Sequence, residues 1–276
     1  MPESIRCLHM NHINAVVESL DDVDRFRDLY GAQLILDLPE FQSCLITMGT
    51  VIFELFLPQE YLLNARFGPH YVGLEYQVPD TGDARHAVQS RGIRILGDIG
   101  VAFHTHPADT FGVGVEIYHR NFHTEGPPNG YVEPIKPVDY WRDAHPLGLT
   151  GLTRYSVAVS DLEAATTFFE DFMNATVLYE APRPAVGARA VGLALADTVA
   201  ELLTPTEDGV MQRYLARYGD GIRSTIFAVR DLRQAQSYFA DRSITLHPGD
   251  APDTLAIAPE DNGGLLFEFS ETASSA

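Results

Sequence analysis

Four residues at matched spacing are the ones that could do chemistry in this chain: His12 and Glu54, 42 residues apart, and His70 and Glu116, 46 apart. Each histidine opens a strand-like run, NHINAVV or HYVGLEYQV, and each glutamate lies in a later one, VIFELFL or GVGVEIYH. In VIFELFL the alternation puts Val51, Phe53, Leu55 and Leu57 on one face and Ile52, Glu54 and Phe56 on the other, so both faces are apolar. An ionised Glu54 left uncompensated there costs about 3–5 kcal/mol, which a cation or a set of hydrogen bonds must offset. Glu116 poses the same problem, and a divalent ion is the simplest charge the two can share. Taken singly, a strand histidine is usually just hydrogen-bonded, and a glutamate among apolar neighbours can pair with an arginine. The joint pattern instead predicts one divalent ion held by His12, Glu54, His70 and Glu116. Two imidazoles and two carboxylates suit manganese, iron, cobalt, nickel or zinc.

The elements that must position these residues recur along the chain. NHINAVV leads into a helix with Leu20, Val23, Phe26 and Leu29 at threefold spacing, Ser19 and Asp22 as caps and Gly31 as its stop. The strand-length runs QLILDL, SCLITM and VIFELFL follow. HYVGLEYQV begins the plan again, with a helix from about Thr81 to Arg91 stopped by Gly92, then IGVAFHTH and GVGVEIYH. Later, Ser160 and Glu163 form a capping-box pattern before Leu162, Ala165, Phe168, Phe169 and Phe172, and a helix near Leu232–Ala240 serves a fourth unit.

Internal echoes show that the two halves are copies. HPADTFGVGVEIY (106–118) runs in register with APEDNGGLLFEFS (258–270), setting Glu116 on Glu268. VIFELFLP (51–58) matches TVAELLTP (198–205), setting Glu54 on Glu201, and HINAVVESL (12–20) matches RYSVAVSDL (154–162). The predicted fold is α+β: four strand–helix–three-strand units pairing into two half-barrels. The metal-bearing domain is expected over 1–123 and a degenerate one over 149–276, joined by a linker, 124–148, whose TEGPPNGYVEPIKP is rich in Pro and Gly.

Composition narrows the partners. Acidic residues outnumber basic ones 38 to 19, and the net charge of −19 repels the phosphates a nucleic-acid binder must neutralise. No apolar run approaches membrane-spanning length, and the N-terminus lacks the apolar core of a secretory signal, so a cytoplasmic protein is expected. Cys7 and Cys44 are the only cysteines, so any metal must be bound by nitrogen and oxygen.

With NHINAVV, VIFEL, PHYVGLEY and HPADTFGVGVEIY in place, the chain resembles the vicinal oxygen chelate superfamily, which includes glyoxalase, methylmalonyl-CoA epimerase, extradiol dioxygenases and drug-binding resistance proteins. The resemblance implies glyoxalase-like half-barrels and a metal held by His12, Glu54, His70 and Glu116. It further implies a small-molecule substrate whose vicinal oxygens chelate the ion, and a possible homodimer. The reaction it points to is that of an isomerase, epimerase or lyase moving a proton beside a carbonyl, with Glu54 and Glu116 among the catalytic groups. LDLPEFQS resembles the Pro-Glu stretch of methylmalonyl-CoA epimerase, which makes Glu40 the expected general base. The alternatives are an extradiol-type iron(II) dioxygenase using His12, His70 and Glu116, and a non-catalytic binding protein. In the second half Arg154 stands at the place of His12 and Gly221 at that of His70, so no second metal is expected there. Arg154 is instead expected to approach Glu201, Glu268 or both. His104, His106, His119 and His123 are read as ordinary turn and linker residues.

Overall fold

In the computed structural model, which describes residues 3–58 and 68–271, the chain forms the four expected units. The first comprises β1 (His9–Val16), α1 (Asp22–Tyr30), β2 (Gln33–Leu38), β3 (Ser43–Met48) and β4 (Val51–Phe56); the second comprises β5 (His70–Gln77), α2 (Thr81–Ser90), β6 (Ile95–Asp98), β7 (Phe103–Thr105) and β8 (Gly114–Tyr118). The third runs β9 (Leu149–Ala158), α3 (Leu162–Met173), β10 (Thr176–Arg183), β11 (Ala188–Leu195) and β12 (Thr198–Pro205). An inserted helix, α4 (Val210–Tyr218), precedes the fourth: β13 (Gly221–Val229), α5 (Leu232–Ala240), β14 (Leu246–Pro248), β15 (Leu255–Ile257) and β16 (Leu266–Ser270).

Units pair within the chain into two mixed sheets of the same plan. The first has strand order β2-β3-β4-β1-β5-β8-β7-β6 and the second β10-β11-β12-β9-β13-β16-β15-β14. The central strands β1 and β5 run antiparallel, while each lies parallel to the closing strand of its own unit, β4 or β8. This arrangement relates the two units by a local twofold. One apolar core runs through both halves, with Phe26 stacked on Phe267 at 6.0 Å and the Tyr76 and Tyr155 hydroxyls 2.8 Å apart. Among the described residues no helix is long and apolar enough to cross a membrane.

Local details follow the residues. Gly31 ends α1 in the left-handed region at φ 68°, as a residue without Cβ can. The cap of α3 is Asp161, which accepts from the Ala164 amide, and not Ser160, whose hydroxyl is drawn away to Asp220. The segment after β8 is no loose tether. Phe122, Tyr131 and Ile135 pack with Ile35, Leu45, Ile52 and Tyr118 of the first sheet, and Trp141 is fully buried.

Candidate metal centre

Strands β4, β1, β5 and β8 lie side by side in the first sheet, and their register decides which side chains meet. Asn14 lies beside Glu54 across the parallel β1–β4 pair, Glu75 lies beside Glu116 across β5–β8, and His12 faces Glu75 across β1–β5. Among the described residues, His12, Glu54 and Glu116 each offer a ligand atom within 4.8 Å of the other two. His12 and Glu116 are buried, and the Glu54 side chain is 12% exposed.

The surrounding bonds orient this group. The Asn14 side-chain carbonyl sits 2.7 Å from His12 Nδ1 and, being only an acceptor, places the proton there. In the neutral ring Nε2 then carries no hydrogen, and it is directed at the carboxylates, 3.4 Å from Glu75 Oε2 and 3.8 Å from Glu54 Oε2. The Asn14 amide donates to Glu116 at 3.0 Å, Asn11 donates to Glu75 at 2.7 Å, and the Ser43 hydroxyl donates to Glu54 at 3.0 Å. His104 Nε2 lies 3.3 Å from the other oxygen of Glu116.

Charge in this cup is unbalanced without a cation. Burial pushes Glu54 up to about 7 even though His12 pulls it down. Burial would lower His12, but Glu75, Glu116 and Glu54 drive it up to about 10. Glu116 is the exception, held down at about 2 because His104 and His12 outweigh its burial. Three acidic side chains around one imidazole nitrogen, with an amide fixing both His12 and Glu116, fit a divalent ion that would take the place of the His12 Nε2 proton.

His70 does not join them. Register pairs it with Val16, four residues along β1 from His12, or about 13 Å at roughly 3.3 Å per residue. Its Nδ1 lies 2.6 Å from the Gly68 carbonyl instead. The local twofold explains the displacement: His12 pairs with Glu75 and Asn14 with Gly73, so the counterpart of His12 is Gly73 and that of Asn14 is Glu75. The same positions counted from the strands' far ends would have found this, since His12 and Gly73 each stand five residues before a valine, Val17 and Val78. Glu75 and His104 are thus the site residues that sequence spacing missed. Glu40 is exposed in a 3-10 turn, Pro39–Phe41, at the tip of the β2–β3 hairpin, and among the described residues no hydrogen bond or ion pair ties it to the cup.

Residues 151–269 match the family described as the Glyoxalase/Bleomycin resistance protein/Dioxygenase superfamily. Along its whole length the chain shares the fold of a mutant 4-hydroxymandelate synthase from Streptomyces coelicolor, with TM-score 0.70, covering 100% of this chain and 96% of that one at 14% identity. Residues 151–269 are thus similar in sequence to that superfamily. It is also 28% identical over 147 residues to mitochondrial methylmalonyl-CoA epimerase of Mus musculus, covering 49% of this chain and 81% of that protein. A crystal structure of methylmalonyl-CoA epimerase from Mycobacterium tuberculosis aligns with 44% of this chain and 87% of its own at 26% identity, with TM-score 0.41.

In the second sheet the equivalent cup holds an ion pair. Arg154, at the place of His12, comes within 3.6 Å of Glu201, but the fork that satisfies Glu201 belongs to Arg183, whose Nε donates at 3.1 Å and whose Nη2 bonds the second oxygen. The Tyr179 hydroxyl completes the set at 2.6 Å. Glu268 takes hydroxyl hydrogens from Ser224 and Thr254 and the Asp250 amide, so of the two carboxylates it is Glu201 that Arg154 approaches, as one form of the expectation had it. Met211 of α4, with Tyr214 and Leu215 against it, packs on Ala188, Ala190 and Leu203 and fills part of this cup.

Proposed function

We propose that the protein is a divalent-metal-dependent enzyme whose ion is held by His12, Glu54 and Glu116 and whose substrate presents two neighbouring oxygens. The observation carrying this reading is the convergence of these three side chains, from three strands, on one point faced by Nε2 of His12. An ion bound there would act as a Lewis acid, polarising a substrate carbonyl so that the adjacent carbon acid is easier to ionise.

The chain's own residues supply the rest. Asn14 fixes the His12 ring and Glu116 together, while Asn11 and Ser43 hold Glu75 and Glu54. Proton transfer then falls to a carboxylate outside the ion-binding three. Glu75 stands in the cup beside His12, and Glu40 stands exposed at the tip of the β2–β3 hairpin. Position favours Glu75, and Glu40 enters only if the substrate extends to the rim. This supports an isomerase, epimerase or lyase moving a proton beside a carbonyl.

The test is exchange in deuterated water. Metal-loaded protein is offered 2-substituted 3-oxo acids and thioesters, and deuterium at the carbon beside the carbonyl is followed by mass spectrometry. Exchange that requires metal and falls by about 10²-fold or more in Glu75→Gln supports the reading. Metal-independent exchange, or none with any chelating carbonyl compound, contradicts it. A second reading, an iron(II) oxygenase, draws on His104, which with His12 and Glu116 makes two imidazoles and one carboxylate. Oxygen uptake dependent on iron(II) and on His104 would select it.

A further inference from the structure

A second histidine pair lies outside the cup, in the cleft between the halves. His9 opens β1, His123 lies in the segment after β8, and their rings meet edge to face at 88° with centroids 4.6 Å apart. His9 Nε2 and His123 Nδ1 are 2.6 Å apart. The outer nitrogen of each ring is already committed. His9 Nδ1 bonds the Asp197 carboxylate, which is fixed in turn by the Met10 amide at 2.8 Å, and His123 Nε2 lies 2.8 Å from the Thr50 carbonyl.

Both outer partners are acceptors, so both outer nitrogens carry the hydrogens. A neutral imidazole has only one hydrogen, which leaves two bare lone pairs facing each other at a separation where they repel. Something positive must lie between them, and it is either a third proton or a metal ion. A ring that ligates a metal characteristically gives its other N–H to a carboxylate or a backbone carbonyl, the two acceptors found here. Burial lowers the basicity of His123, which works against a third proton on that ring. A cavity of about 280 Å3, lined by both histidines, Asp197, Thr50 and Thr198, adjoins the pair and leaves room for further ligands. The Thr198 hydroxyl in its wall is buried and has no hydrogen-bond partner among the described residues.

We propose that His9 Nε2 and His123 Nδ1 are the protein ligands of a second metal site, for a borderline divalent ion such as zinc, with Asp197 and the Thr50 carbonyl as its outer supports. Its remaining coordination positions face the cavity. The ion ties together β1, the segment after β8 and the β11–β12 turn that carries Asp197, joining the two halves at one point. At zinc–nitrogen distances of about 2.0–2.1 Å in a tetrahedral arrangement, the two nitrogens would open to roughly 3.3 Å, a small rotation of either ring.

The experiment is zinc stoichiometry on the full-length protein, stripped with chelator, reloaded with Zn(II) and desalted. Wild type should retain two ions per chain, His123→Gln one, and the Glu54→Gln/Glu116→Gln double variant the one held by the histidine pair. Loss of the second ion in His123→Gln, with far-UV circular dichroism unchanged, bears the proposal out whatever the cup binds. Zinc content unaltered by His123→Gln overturns it. Wild-type crystals soaked in Zn(II) give a readout without any variant: anomalous density between His9 and His123 is expected, and density confined to the His12 cup contradicts the site and leaves a proton between the rings.

Discussion

Replacing Arg183 by alanine should destabilise the protein far more than replacing Arg154, although Arg154 is the residue that stands where a metal ligand would. Glu201 is 2% exposed, and both its oxygens are held by the Arg183 fork. Removing one partner of a buried pair costs about 3–5 kcal/mol, because the surviving charge is stranded. Two neighbours soften the loss: Tyr179 keeps its 2.6 Å bond, and Arg154 Nε, 3.6 Å away, can close in. A net cost of about 2–4 kcal/mol remains, or a fall in Tm of roughly 5–15 °C for a chain of this size. Arg154→Ala leaves the fork and the phenol in place and removes two buried guanidinium nitrogens that have no hydrogen-bond partner among the described residues. Since burying a donor unpaired is itself costly, the net change should be about 1 kcal/mol or less. Urea denaturation of the two variants decides the matter. If Arg154→Ala costs as much as Arg183→Ala, the reading of the second cup as an Arg183–Glu201 pair is wrong.

Further outcomes follow from the same structure. Metal-free protein should lose stability as pH rises from about 5 to 9, because Glu54, raised to about 7, and His12, raised to about 10, both bind protons more tightly folded than unfolded. Glu116, lowered to about 2, acts the other way, and its contribution disappears as pH falls below about 4.5. Denaturant titrations at pH 5, 7 and 9 in chelator check this, and rising stability over that range would contradict it. Gln33→Ala removes the side chain that holds Glu133, Pro134 and the Lys136 amide, so amide exchange over 131–136 should accelerate at least tenfold while the sheet's core is unaffected. Gly73→Ala should prevent folding or cost more than about 4 kcal/mol, since a Cβ there would sit 1.8 Å from the Gly114 carbonyl oxygen; a soluble variant with near-normal Tm would show that β5 and β8 are less closely apposed.

The units were legible because each signal is local. Gly31 and Gly92 stop helices where a residue without Cβ is needed, and the apolar spacing of Val23, Phe26 and Leu29 marks a buried face. Glu54 and Glu116 could be picked out because a carboxylate in an apolar strand needs a reason. His70 could not be placed correctly, because its position relative to His12 depends on the antiparallel register of β1 and β5, which no local pattern reveals. Glu75 was hidden for the same reason. The Pro- and Gly-rich composition of 124–137 concealed that Tyr131 and Ile135 have apolar destinations on the first sheet. Arg183 carries no signal of its own, since its partner lies 18 residues away on a strand two positions across the sheet. His123, in a segment that reads as linker, acquires meaning only when folding brings it to His9, 114 residues away.

Manganese(II) binding followed by electron paramagnetic resonance tests most directly which residues hold the ion in the first cup. Stripped wild-type protein should bind Mn(II) in the cup. His12→Ala, Glu54→Gln and Glu116→Gln should each weaken that binding by at least tenfold, while His70→Ala leaves it unchanged. Binding that persists in the first three variants, or that is lost in His70→Ala, would contradict the assignment.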